Sequence, residues 1–466
     1  MLLAGCSVGR EYQEPETETL IQAQFLEQEQ GRFRATEPIA KWWRNFNEDL
    51  LSHLVEQALE HNLDVRIALA NFQEARFLLG ETKFDRFPKV GVQGKAERQQ
   101  QSKEGIFPPF GNRTVNTYNA GFDAIWELNL FGRVTQRLAA SEAELAAREA
   151  DLDAVYVTIA AEVARTYIEL RGAQYRLNVA KKNADNQQQT YNLTRVLFEG
   201  GASDKLDIAR ARTQLELTKS TIPPFEAEVN AAMNRLAVLT GQTPTTLHNL
   251  LEEMKPLPVI PQSVNIGNPV DLLKRRPDIR AAERDIAGAV AEYNMNVADL
   301  YPNVTVNGSL GFSSTSVSNF ATSGAGTYAF GPQINWAAFN IGGVLARIDA
   351  ADARTQGRLA SFEKTVLRAL EETETAMVNF SRQEQTRARL KQAAVSSAKA
   401  VEYAQDRFEA GIDTLLDVLV AQRTMLEAQD RLASSEIDVV MNLIAIYKAL
   451  GGGWQVRIGP EIASTN

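Results

Sequence analysis

Few groups in this chain could perform chemistry, and those few are poorly placed for it. Of 466 residues, three are histidine and one is cysteine, against 58 Asp and Glu. His53 and His61 would share a face of a predicted helix, but no acidic or thiol partner completes a metal-ligand spacing, so they read as solvated side chains. The carboxylates are spread along helical stretches with no sign of a cleft, which leaves general acid–base catalysis unsupported. The expectation is a protein that is not an enzyme and holds no metal or cofactor.

Cys6 is the remaining candidate. The run Leu3-Ala4-Gly5-Cys6 is of the kind that precedes a bacterial lipoprotein processing site, where the thiol takes a diacylglyceryl group after cleavage. The same residues fit an ordinary free thiol in a chance context, and on their own they leave both readings open. Only five residues precede Cys6, too few for the charged and apolar regions of a signal peptide. After processing, Ser7 rather than an aspartate would follow the cysteine, which favours export to the outer membrane.

Composition narrows the classes further. One thiol excludes a disulfide scaffold, and 44% hydrophobic with 23% charged residues excludes wholesale disorder. A net charge of −9 argues against a nucleic-acid partner. No apolar run approaches the roughly 18 to 20 residues of a spanning helix; Val155 to Ala161, among the longest, stops after about seven. The chain is therefore either soluble or crosses a membrane as part of a closed β-barrel, whose strands are individually faint in sequence.

The elements that carry these residues come in two copies. Leu197-Phe198-Glu199-Gly200-Gly201 lies over Arg407-Phe408-Glu409-Ala410-Gly411 at an offset of 210, and Gly121 and Trp126 fall on Gly331 and Trp336 at the same offset. Upstream, Asp64, Arg66 and Pro88 fall on Asp278, Arg280 and Pro302 at an offset of 214. The proline-rich stretch between Gly241 and Pro269 separates the copies. The expected organisation is an N-terminal region over 1–60, a first repeat over 61–240 with a hairpin at 88–128 and long helices over 133–240, a link over 241–270, a second repeat over 271–450 with a hairpin at 302–337 and long helices over 343–450, and a tail over 451–466.

Each predicted hairpin alternates with period two. Val90, Val92, Gly94 and Ala96 oppose Lys89, Gln93, Lys95 and Glu97; Tyr118, Ala120, Phe122, Ala124, Trp126 and Leu128 oppose Thr117, Asn119, Asp123 and Glu127. The second copy sets Val304, Val306, Leu310 and Phe312, then Tyr328, Phe330, Ile334 and Trp336, against Asn303, Thr305, Asn307, Ser309, Gln333 and Asn335. Strands of about ten residues, apolar on one side and polar on the other, fit a tilted crossing of the hydrocarbon layer, with Tyr118, Phe122, Trp126, Tyr328, Phe330 and Trp336 on the lipid face. Four strands cannot close a barrel, since the smallest have about eight, so closure needs several chains; three would give twelve strands.

After each hairpin come 66 proline-free positions, Gly132 to Phe198 and Gly342 to Phe408. A helix of that length spans roughly 100 Å and needs lateral partners. A second helix follows each Phe-Glu-x-Gly turn with apolar residues at sevens: Ile208, Leu215, Ile222, Val229 and Leu236, then Val418, Met425, Leu432, Val439 and Ile446, with Leu419, Leu426, Ala433, Val440 and Tyr447 alongside. Strict sevens imply coiled-coil packing. Pro223-Pro224 should bend the first of these helices. A coiled-coil tether explains the heptads and fails on the four alternating strands.

Together these residues resemble the outer-membrane efflux protein family, the outer-membrane channel lipoproteins of tripartite export pumps. The most specific piece is Arg275-Arg276-Pro277-Asp278-Ile279-Arg280-Ala281-Ala282-Glu283, supported by Arg407-Phe408-x-x-Gly411 leading to Leu416-Asp417-Val418 and Ala421-Gln422-Arg423, and by Trp42-Trp43, Asn62-x-Asp64 and Tyr301-Pro302-Asn303. The resemblance spans essentially the whole chain. It implies a mainly α homotrimer with membrane β: a twelve-stranded outer-membrane barrel continued by a long α-helical periplasmic tunnel, with a mixed equatorial region. It implies partners in a periplasmic adaptor, an inner-membrane RND-type transporter and outer-membrane lipid, and a covalent lipid on Cys6. It implies passive conduction of drugs and toxic compounds, with antibiotic resistance as a consequence; type I protein secretion and metal-ion efflux are the alternatives. By position, the periplasmic gate falls on Tyr403, Arg407, Asp413 and Asp417 in the second copy and on Arg195 and Asp204 in the first. The adaptor-docking tips fall on Phe198, Gly200, Gly201, Phe408 and Gly411.

Overall fold

A computed structural model describes residues 8–16, 24–27, 32–36, 39–100, 102 and 114–456. Cys6 and most of the expected C-terminal tail lie outside the described residues. The elements in chain order are β1 (Phe33–Arg34), α1 (Asp49–His61), α2 (Leu63–Phe84), β2 (Lys89–Gln100), β3 (Thr114–Leu128), α3 (Arg133–Glu199), α4 (Lys205–Ser220), α5 (Ile222–Leu239), α6 (His248–Leu251), β4 (Val264–Asn265), α7 (Pro269–Arg275), α8 (Pro277–Ala298), β5 (Asn303–Ser314), β6 (Gly326–Asn335), α9 (Ile341–Glu409) and α10 (Leu415–Ala449). The order β2-β3 to β5-β6, with α2, α3 and α4–α5 matched by α8, α9 and α10, is the duplication read from the sequence.

The described residues fall into two units. The first draws on Met1–Glu16, Ala70–Glu149 and Ala281–Lys364, the second on Thr17–Leu69, Ala150–Arg280 and Thr365–Asn466. The first unit holds a four-stranded antiparallel sheet in the order β2-β3-β5-β6. Its register puts Gly91 opposite Asp123, Asp123 opposite Ser309, and Ser309 opposite Ala329. Since paired residues share a face, odd-numbered residues line one side throughout and even-numbered ones the other. β6 ends at Asn335, so Trp336 stands just beyond the strand rather than within it. The polar face is also less uniform than the alternation suggested, because Ile125 lies on it, between Lys89 and Asn307.

The second unit is built around buried aromatics. Trp42 stacks on Tyr447, with centroids 5.0 Å apart at 17°, and its indole N–H donates to the Gly452 carbonyl at 3.2 Å. In α1, Leu51, Leu54, Val55, Ala58 and Leu59 recur as one helical stripe and are all fully buried. A short parallel pairing of β1 with β4, Phe33 against Val264, ties the N-terminal segment to the inter-repeat link. Two residues per strand leave no periodicity to read, so the sequence offered no sign of it.

The heptad residues bury where the helices pack most densely. Leu215, Leu236, Val418, Val439, Val440, Ile446 and Tyr447 are buried, while Met425, Leu426 and Leu432 are half-buried. The proline pair divides one helical path into α4 and α5, with only Thr221 between them at φ −79°, ψ −15°. The backbone stays helical there, so the break is a bend made by two residues with no N–H to donate. Its counterpart α10 runs unbroken for 35 residues.

Two glycines fix the ends of these helices. Gly241 (φ +73°) and Gly451 (φ +67°), 210 residues apart, follow α5 and α10 in the left-handed region, and a Cβ on Gly241 would lie 2.5 Å from the His61 carbonyl oxygen. Gly201 (φ +78°) has the same backbone requirement but open space around it. Gly201→Ala should therefore cost about 1–2 kcal/mol from backbone conformation alone, and Gly241→Ala more, because main chain must also move. Thermal unfolding followed by circular dichroism checks the order; equal losses would contradict it.

Candidate functional site: strand wall, joints and helix tips

The even-numbered face of the sheet is apolar and open. Phe122, Trp126, Tyr328, Phe330 and Trp336 are all exposed, Tyr328 and Phe330 by more than four-fifths, and Tyr118 is half-buried. Exposed aromatics on one side of a sheet mark a surface made for an apolar environment. Among the described residues neither β2 nor β6 has a partner on its outer edge.

The joints between strands and helices repeat contact by contact. The Trp126 indole N–H donates to the Arg86 carbonyl, and the Trp336 indole N–H to the Leu300 carbonyl, each at 3.0 Å. Arg137 pairs with Asp85 at 3.0 Å, and Arg347 with Asp299 at 3.4 Å. Each of these pairs is related by the 210-residue offset on one side and the 214-residue offset on the other. The tryptophans predicted as lipid-facing thus also lock the strand base to the end of the preceding helix, which alternation alone could not reveal.

A second set of repeated joints explains the Arg-Arg-Pro-Asp motif. The Asn62 side-chain amide donates to the Leu239 carbonyl at 2.8 Å, while its oxygen accepts from the Asp64 N–H and caps α2. At the matching place Arg276 donates to the Ala449 carbonyl at 2.9 Å, makes two bonds to Asp278 at 3.0 and 2.7 Å, and pairs with Glu372 at 2.9 Å. Each residue fastens the start of one helix to the free carbonyls at the end of another. Gln422, from the Ala-Gln-Arg motif, is buried where its amide and that of Gln187 meet at 3.0 Å, with a further bond to Thr190 at 3.1 Å. It is a polar contact that sets the register of α10 against α3.

At the helix tips the structure joins some predicted residues and separates others. Arg407 forms a two-pronged pair with Asp413, at 2.7 and 2.8 Å, inside the turn between α9 and α10. The hydrogen bonds from Arg407 hold the Asp413 carboxyl below the usual carboxylate range. Asp417 accepts from the Thr414 hydroxyl at 2.6 Å and the Thr414 N–H at 3.0 Å, closing a capping box, and these bonds lower its pKa as well. The side chains therefore bind within one turn of one chain rather than across neighbouring helices of that chain. Tyr403 is exposed, and Arg195 pairs with Glu199, at 3.7 Å.

In the first copy, Leu197 and Ser203 occupy the places of Arg407 and Asp413, so that turn has no matching ion pair. Asp204 replaces Thr414 and caps α4 by accepting from the Asp207 N–H at 2.9 Å. Both turns close with the same backbone bonds, Ala202 N–H to the Leu197 carbonyl and Ile412 N–H to the Arg407 carbonyl, with Gly201 and Gly411 in the left-handed region. Gly200 precedes the left-handed position, and Phe198 and Phe408 are half-buried. Among the described residues no group of three His, Cys, Asp or Glu could hold a metal ion, and no helix is long and apolar enough to span a membrane.

The sequence profile described as "Outer membrane efflux protein" matches residues 54–242 and 268–452. The solvent efflux pump outer membrane protein SrpC of Pseudomonas putida is 30% identical over 470 residues, covering 98% of this chain and 97% of that protein. The cation efflux system protein CusC of Escherichia coli O6:H1 is 28% identical over 464 residues, covering 98% and 97%. Among solved structures, the outer-membrane channel OprN superimposes with a TM-score of 0.90 at 37% identity, covering 97% of this chain and all of that one.

The asymmetry of the turns yields a local test. Asp204→Ala removes the cap of α4, which should cost about 1 kcal/mol and speed exchange of the Asp207 amide about fivefold. Hydrogen exchange read by mass spectrometry checks this, with the α10 turn as the unchanged reference.

Proposed function

Because this chain belongs to the outer membrane efflux protein family, a family of outer-membrane channels and not of enzymes, we propose that it is the passive exit channel of a tripartite pump. A periplasmic adaptor and an inner-membrane RND-type transporter supply energy and choose the cargo. The chain supplies the water-filled path outward.

The observation that carries this reading is the sheet in the first unit. It has one apolar aromatic face, one polar face and, among the described residues, two unpaired edges. In lipid an unpaired strand edge leaves several kcal/mol per backbone group unsatisfied, so the edges must meet other strands. Three copies joined edge to edge would give twelve strands, enough to close around water. The relatives SrpC and CusC are named for cargo as different as solvents and cations, at similar identity to this chain. This supports a channel whose substrate is set by its transporter, with small toxic molecules and drugs as the favoured class.

The tips are the proposed gate and docking surface. Arg407 and Asp413 staple the α9–α10 turn by charge-assisted bonds, stronger than neutral ones, and adaptor contacts would compete with that staple and release the tip. Gly200, Gly201 and Gly411, with Phe198 and Phe408 beside them, leave the adaptor room for close approach. Cys6 carries the lipid anchor.

Loss of the gene should sensitise cells to solvents and antibiotics, with restoration by the intact chain; unchanged sensitivity beside an intact transporter would refute the pump role. Arg407→Ala with Asp413→Ala should raise single-channel conductance in planar bilayers, and unchanged conductance and antibiotic entry would refute the gate. A carboxylate whose pKa is depressed by folding contributes stability above its unfolded pKa of about 3.9 and loses it as pH falls through the lower folded value. Conductance should therefore stay level from about pH 7 to about pH 4 and rise only below that. Labelled palmitate should enter the intact chain and not a Cys6→Ala variant.

A further inference from the structure

The polar face of the sheet carries few charges, and all but one are neutralised nearby. Among the described strand residues on that face, the charged side chains are Lys89, Lys95, Glu97, Asp123 and Glu127. Lys95 pairs with Glu97 at 2.6 Å. Lys89 turns to Asp85, also at 2.6 Å, and Glu127 lies 3.6 Å from Arg133, so both are held in the ionic joints at the strand bases. Among the described residues Asp123 has no charged partner and no side-chain hydrogen bond.

The register gives this carboxylate unusual room. Its row across the sheet reads Gly91, Asp123, Ser309, Ala329. The next row in one direction reads Gln93, Gly121, Gly311, Thr327. Gly121 and Gly311 face each other so closely that a Cβ on either would lie within 2.6 Å of a carbonyl oxygen on the other strand. The Asp123 carboxylate leans over Gly91, with Oδ2 only 3.2 Å from where a Cβ would stand. No larger neighbour in its own row covers it. A lone charge on a thin water column between low-dielectric walls acts on passing ions more strongly than the same charge on an open surface, because the walls focus its field.

We propose that Asp123 makes the strand-walled segment of this channel prefer cations over anions. The inference rests on the channel reading above, under which each copy contributes one such carboxylate at the same height and the carboxylates form a ring, the arrangement by which rings of acidic side chains select cations in other pores. The preference belongs to this row of the wall and is independent of the helix tips. It would ease exit of cationic or amphiphilic basic molecules and retard anionic ones.

The test is the reversal potential of the full-length protein in planar bilayers under a KCl gradient, in wild type and in the Arg407→Ala, Asp413→Ala background. Near 0.1 M salt, where the Debye length is about 10 Å, Asp123→Asn should lower the potassium-to-chloride permeability ratio roughly twofold or more; near 1 M, where it is about 3 Å, the difference should shrink toward nothing. Asp123→Lys should carry the ratio below one. Replacing Lys95 and Glu97 together by glutamine removes two charges of opposite sign and should leave the ratio as in wild type. An Asp123→Asn ratio equal to wild type at low salt, or a change that persists in full at high salt, overturns the inference while the conducting channel stands. Absence of current in both backgrounds overturns the channel reading and the inference with it.

Discussion

A strand edge cannot face hydrocarbon. Every backbone N–H and C=O in lipid must find a partner within the protein, because no water is there to take its place. This constraint governs the molecule. Four strands of ten to fifteen residues, apolar on one face, leave the outer edges of β2 and β6 without partners among the described residues, where strands of other copies can pair. At its base each hairpin is tied to the end of the helix that precedes it.

The duplication shows how that is done. Both copies use the same joints: an indole N–H from the strand base to the carbonyl of the preceding helix, an arginine–aspartate pair beside it, and a polar side chain at the start of one helix fastened to the carbonyls ending another. Asn62 and Arg276 perform the last task with different chemistry. Arg276 adds Asp278 and Glu372 because a buried guanidinium needs compensating charge, whereas an amide does not. The copies diverge at the tips, where Leu197 and Ser203 stand against Arg407 and Asp413. That divergence makes the two turns unequal, since the charged pair of one has apolar and neutral counterparts in the other.

Much of this was legible in the residues. Period-two alternation gave the four strands and their faces, the offset gave the two copies, and the sevens gave the packing face of α10. Trp126 and Trp336 were read as apolar girdle residues, but a strand pattern cannot say that an indole N–H also reaches back to a helix end. The tip charges are visible in the sequence, but the pairing of Arg407 with Asp413 depends on a chain reversal through Gly411 that brings them together. Ile125 on the polar face went against the pattern because its neighbours, not its type, determine the side it takes.

The sequence by itself determined the long helices and the four alternating strands, their duplication and, Ile125 apart, the face each strand presents, because hydrophobic period and turn chemistry are local properties that survive without a fold. The tertiary structure alone decided which polar groups answer one another across hundreds of residues: Arg276 with the end of α10, Gln422 with α3, and Asp123 with no partner among the described residues. The physical reason is that a charge's role depends on what lies within a few ångströms of it, and that distance is set by packing, not by position in the chain.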